Sequence, residues 1–200
     1  MQREASGEQA VQTLKTYFGY DTFREGQESV VESILEHRNV LAIMPTGAGK
    51  SICYQVPALM MPGITIVISP LISLMQDQVK ALNEAGIHAA FINSSLTENQ
   101  ISKALYLAAG GRYKIIYVAP ERLENYKFLE FARQVEISMV TVDEAHCISQ
   151  WGQDFRLSYV KIQRQQRQWV KKYSGINLSW KEKMSCFFPV TTHTDISEKP

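Results

Sequence analysis

The residues able to do chemistry in this chain gather in a few short stretches. The first is Met44-Pro45-Thr46-Gly47-Ala48-Gly49-Lys50-Ser51, which follows an apolar run and precedes a helix-like segment. That is the setting a phosphate-binding loop requires. Gly47 and Gly49 can take backbone angles closed to other residues, so the loop can wrap a triphosphate closely. The amides of Thr46, Gly47, Ala48 and Gly49 would then point inward, and the following helix N-terminus adds its positive end. Lys50 would reach the β- and γ-phosphates and Ser51 would ligate Mg²⁺. The strict pattern puts a glycine five residues before Gly49, where this chain has Met44.

The second stretch is Val142-Asp143-Glu144-Ala145-His146, where two adjacent acids close an apolar strand. Taken alone it could be a solvated loop. Burying such acids without a cation is costly, so beside a phosphate loop they ask for a metal. Asp143 fits as the acid that holds Mg²⁺ through its water shell, and Glu144 as the group that orients or deprotonates an attacking water.

Two further stretches are open to more than one reading. In Ser149-Gln150-Trp151-Gly152-Gln153-Asp154-Phe155-Arg156, Trp151 and Phe155 could stack on bases while Arg156 pairs with phosphate. The same aromatics could instead be core anchors, and spacing does not separate the two. Upstream, in Phe18-Gly19-Tyr20-Asp21-Thr22-Phe23-Arg24-Glu25-Gly26-Gln27, Gln27 has the donor and acceptor an adenine edge needs. Tyr20 or Arg24 could stack on that base. The plainer reading is the start of a helix.

Strands and helices must bring these stretches together. Short apolar runs at 39–44, 64–69, 88–93, 114–119 and 138–143 read as strands buried on both faces. Between them, Leu71 to Ala85 reads as one helix, with Leu71, Leu74, Met75, Val79 and Leu82 near one face. Residues 97–109 read as another, with Thr97 as N-cap and Ile101, Ala104, Leu105 and Ala108 on one stripe. Alternation of this kind predicts an α/β fold, a mostly parallel sheet with helices on both faces. Each run ends in a polar or Gly/Pro segment, and ligands bind at the carboxyl edge of such sheets.

Composition sets bounds. The 200 residues carry 21 basic and 20 acidic side chains, a net charge of +1, which excludes a binder held to nucleic acid by bulk charge alone. Hydrophobic residues at 45% and charged residues at 20% describe a globular protein. No apolar run approaches a membrane span and no apolar stretch follows the first residues, so a soluble, cytoplasmic protein is expected. Cys53, Cys147 and Cys186 lack metal-ligand spacing and read as reduced thiols. Residues 163–200 hold seven basic and three acidic side chains, a charge of +4, leaving −3 on residues 1–162.

Together these segments resemble the RecQ family of ATP-dependent DNA helicases, within helicase superfamily 2, over roughly residues 11–162. The resemblance is carried by Phe18-Gly19-Tyr20 with Phe23-Arg24 and Gln27, then by Met44 to Ser51. It continues through Ser69-Pro70-Leu71-Ile72-Ser73-Leu74-Met75-Gln76-Asp77-Gln78, Ala119-Pro120-Glu121-Arg122, and Asp143 to Gly152. Met44 is itself typical of that family's phosphate loop. The resemblance implies a RecA-like P-loop NTPase lobe, the first of a 3′–5′ helicase that couples ATP hydrolysis, with Mg²⁺, to movement along single-stranded or forked DNA. It implies adenine reading by Tyr20, Arg24 and Gln27, phosphate contact by Lys50, and metal binding by Ser51 and Asp143. Glu144 would activate water, and His146 would link this motif to others on ATP binding. Trp151, Phe155 and Arg156 would belong to an aromatic-rich loop that couples DNA binding to hydrolysis. The 69–71 and 119–122 segments would face DNA.

The chain departs from the family pattern at Gln153, usually His, and at Leu157, usually Pro. Gln cannot titrate near neutral pH, which bears on coupling through that loop. The family continues with a Thr-Ala-Thr-like motif and a second lobe carrying an arginine finger, whereas residues 163–200 match no part of that plan. A frameshift, a premature stop or a divergent natural tail would each read this way. Such a finger contributes ~10³–10⁵ in rate in related NTPases. Weak Mg·ATP binding, little turnover and no unwinding are therefore expected of this chain alone. A second possibility is a non-motor module that holds nucleotide and DNA through the lobe surface and the basic tail.

Overall fold

Apolar runs too short for helices and flanked by turn residues favour strands that bury both faces, and such strands assemble in parallel. The computed structural model describes residues 2–45 and 47–143. Its strands are β1 (Ile64–Ile68), β2 (Ala89–Ile92), β3 (Ile115–Val118) and β4 (Ile137–Val142). They lie in the order β2-β3-β1-β4, and every pairing is parallel. These are four of the five runs that read as strands.

Residues 39–44 are the exception and correct the expectation of a strand there: they join no ladder among the described residues. Ala42 and Met44 are buried, while Leu41 is 62% and Ile43 56% exposed. Such alternation is the period of an extended segment covered on one side only. The run is apolar on both sides, but its backbone pairs with no strand among the described residues.

The helices are α1 (Gln2–Phe18), α2 (Gln27–Leu35), α3 (Lys50–Met60), α4 (Ile72–Glu84), α5 (Glu98–Ala109) and α6 (Tyr126–Gln134). Thr97 caps α5 as expected, accepting from the Gln100 amide while the Gln100 side chain accepts from the Thr97 amide. Helices cover both faces of the sheet. Tyr54 of α3 and Met75, Val79 and Leu82 of α4 pack with Val67, Ile115, Tyr117 and Met139 on one side. Ile101, Leu105 and Ala108 of α5 and Phe128 and Phe131 of α6 pack with Ile66, Ile116 and Val118 on the other. A third cluster joins α1 and α2 to α3 through Ala10, Leu14, Val31 and Val56. Among the described residues no helix is long and apolar enough to cross a membrane.

The turn between α3 and β1 sets the height of the phosphate-loop helix on the sheet. Lys114 donates to the carbonyls of Met61 and Gly63, Ser138 donates to that of Pro62, and the Ile64 amide donates to Glu136 at 2.9 Å. Gly63 has φ +70°, and a Cβ there would lie 2.4 Å from the Glu136 carbonyl oxygen. Gly63→Ala should therefore destabilise the fold by about 2 kcal/mol or more, read as a lower denaturation midpoint.

Burial pushes the Cys53 thiol up to about 12 and holds the Tyr117 hydroxyl above the usual phenol range. The folded chain thus keeps protons that the unfolded chain releases from about pH 9 upward. Their stabilisation is complete below that pH and is lost as pH rises through the folded values. Denaturation midpoints should fall between about pH 9 and 12, and Cys53→Ala should flatten the early part of the decline.

Candidate functional site

In a parallel sheet all strands end at one edge. Here Ser69, Asn93, Ala119 and Asp143 follow the last residues of β1, β2, β3 and β4 at that edge. Backbone bonds prolong the ladder into it: the Ser69 amide donates to Val118, the Ala119 amide to Ile92 and the Asp143 amide to Ile68, the last at 2.8 Å. The Asp143 carboxylate is thus anchored by its own main chain, and the residue is only 5% exposed. Its negative charge acts on both Tyr54 and Tyr117, which places it over the α3 face of the sheet.

The glycine loop arrives from the other direction. Gly47 and Gly49 have φ of +81° and +73°, as their types led one to expect, and Gly49 caps α3. Lys50 and Ser51 are the first two residues of that helix. Tyr54 follows Ser51 by one helical turn on α3. The loop is strapped from behind. Gln27, 3% exposed, donates to the carbonyls of Ala48 at 2.9 Å and Gly49 at 3.0 Å, and Arg24 donates to that of Gly47 at 2.8 Å. Within the loop the Ala48 amide donates to the Pro45 carbonyl at 3.2 Å. A Cβ on Gly49 would meet the Gln27 amide nitrogen at 2.6 Å, so the strap and the glycine require each other.

Gln27 is also the first residue of α2, as the helix-start reading has it. Its amide donates to the Arg24 carbonyl at 3.0 Å, and its Oε1 accepts from the Arg24 amide at 2.9 Å. The donor and acceptor that could meet a base edge are therefore both engaged on the protein itself. Tyr20 is half exposed.

The structure brings together Arg24, Gln27, Gly47, Ala48, Gly49, Lys50 and Ser51, with Asp143 at the adjoining sheet edge. Thr46, Glu144, His146, Trp151, Phe155 and Arg156 lie outside the described residues. Sequence reasoning missed the buried polar groups behind the site: Tyr54, Tyr117 and Gln55. The available signal was Tyr54, a polar tip one helical turn after Ser51 inside an apolar run. It also missed Thr141 and read Ser69 only as part of a DNA-facing segment; the buried hydroxyls of both have no hydrogen-bond partner among the described residues. A buried carboxylate beside unpartnered hydroxyls suits a hydrated cation, so the residues present fit Mg²⁺.

Comparison with known proteins gives the family of the chain. The DEAD/DEAH box helicase family matches residues 24–179. An ATP-dependent DNA helicase RecQ of Bacillus subtilis is 54% identical over 151 residues, covering 75% of this chain and 26% of that protein. A RecQ of Haemophilus influenzae is 46% identical over 153 residues, 76% of this chain and 25% of that protein. The chain thus spans about a quarter of the length of these relatives. Among solved structures, a DUF1998 helicase, MrfA, bound to DNA and AMPPNP superposes with a TM-score of 0.68 at 17% identity, covering 94% of this chain and 26% of that one. A hypothetical ATP-dependent RNA helicase from Sulfolobus tokodaii gives 0.63 at 17%, covering 92% and 50%. These two likenesses establish the RecA-like helicase fold. The chain belongs to the DEAD/DEAH box helicase family, and its relatives there are the RecQ-type ATP-dependent DNA helicases.

Proposed function

We propose that this chain is the ATP-binding motor lobe of a cytoplasmic, RecQ-type 3′–5′ DNA helicase, acting on single-stranded or forked DNA. One observation carries the reading: a glycine loop held from behind by Gln27 and Arg24 opens onto the sheet edge where Asp143 is buried. The relatives' names supply ATP dependence and DNA as the class of partner.

In this reading the loop amides and the N-terminus of α3 bind the phosphates, and Lys50 takes the β- and γ-oxygens. Ser51 and Asp143 would hold Mg²⁺, Asp143 through water. When bound, the ion neutralises charge that develops on the transferred phosphoryl group. Glu144, directly after Asp143 in sequence, is assigned to the attacking water and would take its proton. Tyr20, Arg24 and Gln27 are assigned to the base end of the nucleotide. Support comes from the bonds of Arg24 and Gln27 to the loop carbonyls, which set this segment against the phosphate site. His146 is assigned to communication between motifs, and Trp151, Phe155 and Arg156 to DNA binding and its coupling to hydrolysis.

Titration of the chain with a fluorescent ATP analogue and Mg²⁺ tests the proposal. Lys50→Ala should weaken binding roughly 10- to 100-fold, the equivalent of a hydrogen bond to a charged group. Equal affinity in both proteins would show that the loop does not bind triphosphate.

A further inference from the structure

Two hydroxyls at the carboxyl edge of the sheet are unused by the fold. Ser69 and Thr141 are both fully buried, and their side-chain oxygens have no hydrogen-bond partner among the described residues. Alternation along the strands puts them on one face. Ile66, Ile68, Val140 and Val142 pack with α5 and α6. Ser69, Thr141 and Asp143 therefore turn to the opposite face, where Val67 and Met139 meet α3. Ile68 pairs in register with Val142, so Ser69 and Asp143 stand side by side one residue further on, with Thr141 one step behind on β4.

A buried hydroxyl left unbonded destabilises a fold, and alanine or valine would fill the same places without that cost. Other polar groups on this face are paired. The Tyr54 and Tyr117 hydroxyl oxygens are 3.1 Å apart, and Gln55 Nε2 donates to the Tyr117 hydroxyl at 3.2 Å. The two unpaired hydroxyls neighbour Asp143, the one buried carboxylate among the described residues. Waters bound to a cation turn their protons outward, so the groups around them must accept, and Mg²⁺ keeps several of its waters. A hydroxyl oxygen accepts as well as donates. A carboxylate with two free hydroxyls beside it is an acceptor set of that kind, and Ser51 lies in the first turn of the helix that packs on the same face.

We infer that Ser69 and Thr141 are positioning residues whose hydroxyls accept from the water shell of the Mg²⁺ assigned to Ser51 and Asp143. This rests on the nucleotide-site reading above. Thr65 supplies the contrast. It too is fully buried, on the same face, with an unpartnered hydroxyl. It is the second residue of β1, however, and pairs with Ile115 and Met139 away from the carboxyl edge. Four residues of strand put it roughly 13 Å from Ser69, out of reach of waters held at Asp143.

Calorimetric titration of ATP into the full chain, with and without Mg²⁺, tests this together with thermal denaturation of the metal-free protein. Thr141→Val and Ser69→Ala should each cut the affinity gained from Mg²⁺ roughly 2- to 10-fold, as for one hydrogen bond, and leave the metal-free affinity for ATP as it was. Thr141→Ser keeps a hydroxyl and should restore the gain, while Thr65→Val should retain it in full. Without metal, Thr141→Val should denature at or above the wild-type midpoint, because its hydroxyl has no protein partner to lose. A lower midpoint would show that the hydroxyl serves the fold and would overturn the inference. So would a full Mg²⁺ gain in either Thr141→Val or Ser69→Ala, or an equal loss in Thr65→Val; each leaves the nucleotide site intact. No gain from Mg²⁺ in the wild type would overturn the nucleotide-site reading and the inference with it.

Discussion

The parallel pairing of β1 with β4 is the constraint on which the rest depends. Ile68 faces Val142 in register, and the Asp143 amide extends that ladder by donating to the Ile68 carbonyl. The residue that carries this carboxylate is thereby held at a buried edge of the sheet. The turn clamped by Lys114, Ser138 and Glu136 then fixes where α3 crosses the same face, and so where Ser51 stands relative to Asp143. Neither residue has to be ordered by a ligand for the two to share a region of the fold.

The second requirement is a loop that stays open. Backbone carbonyls turned inward would repel a triphosphate. Gln27 and Arg24 take the carbonyls of Gly47, Ala48 and Gly49. A segment that precedes the loop by some twenty residues thus shapes the site without belonging to the loop. Any movement of Gln27 away from the loop would release two carbonyl contacts, which links the position of Gln27 to the shape of the loop.

Much of this was legible in the sequence because the signals were local. The glycine spacing of residues 47–51, the Thr97 cap and the apolar runs of β1 to β4 each state a conformation within a few residues. The 39–44 run misled because apolar character reports burial but not pairing: Leu41 and Ile43 are as apolar as strand residues, yet stay exposed. The strap by Gln27 and the tyrosine pair were illegible for a different reason. Tyr54 and Tyr117 are 63 residues apart, and Gln27 lies 21 from Ala48, so only the tertiary fold brings their polar atoms together. The side-chain type of Gln27 states a donor and an acceptor, but spacing does not state what they bind.

The central claim is that Asp143 and Ser51 act with the strapped loop as one Mg·nucleotide site. Calorimetric titration of ATP into the chain, with and without Mg²⁺, tests it most directly when wild type and Asp143→Asn are compared. The account predicts that Mg²⁺ strengthens binding to the wild type, and that Asp143→Asn loses this gain while keeping its metal-free affinity. An equal gain from Mg²⁺ in both proteins would contradict it.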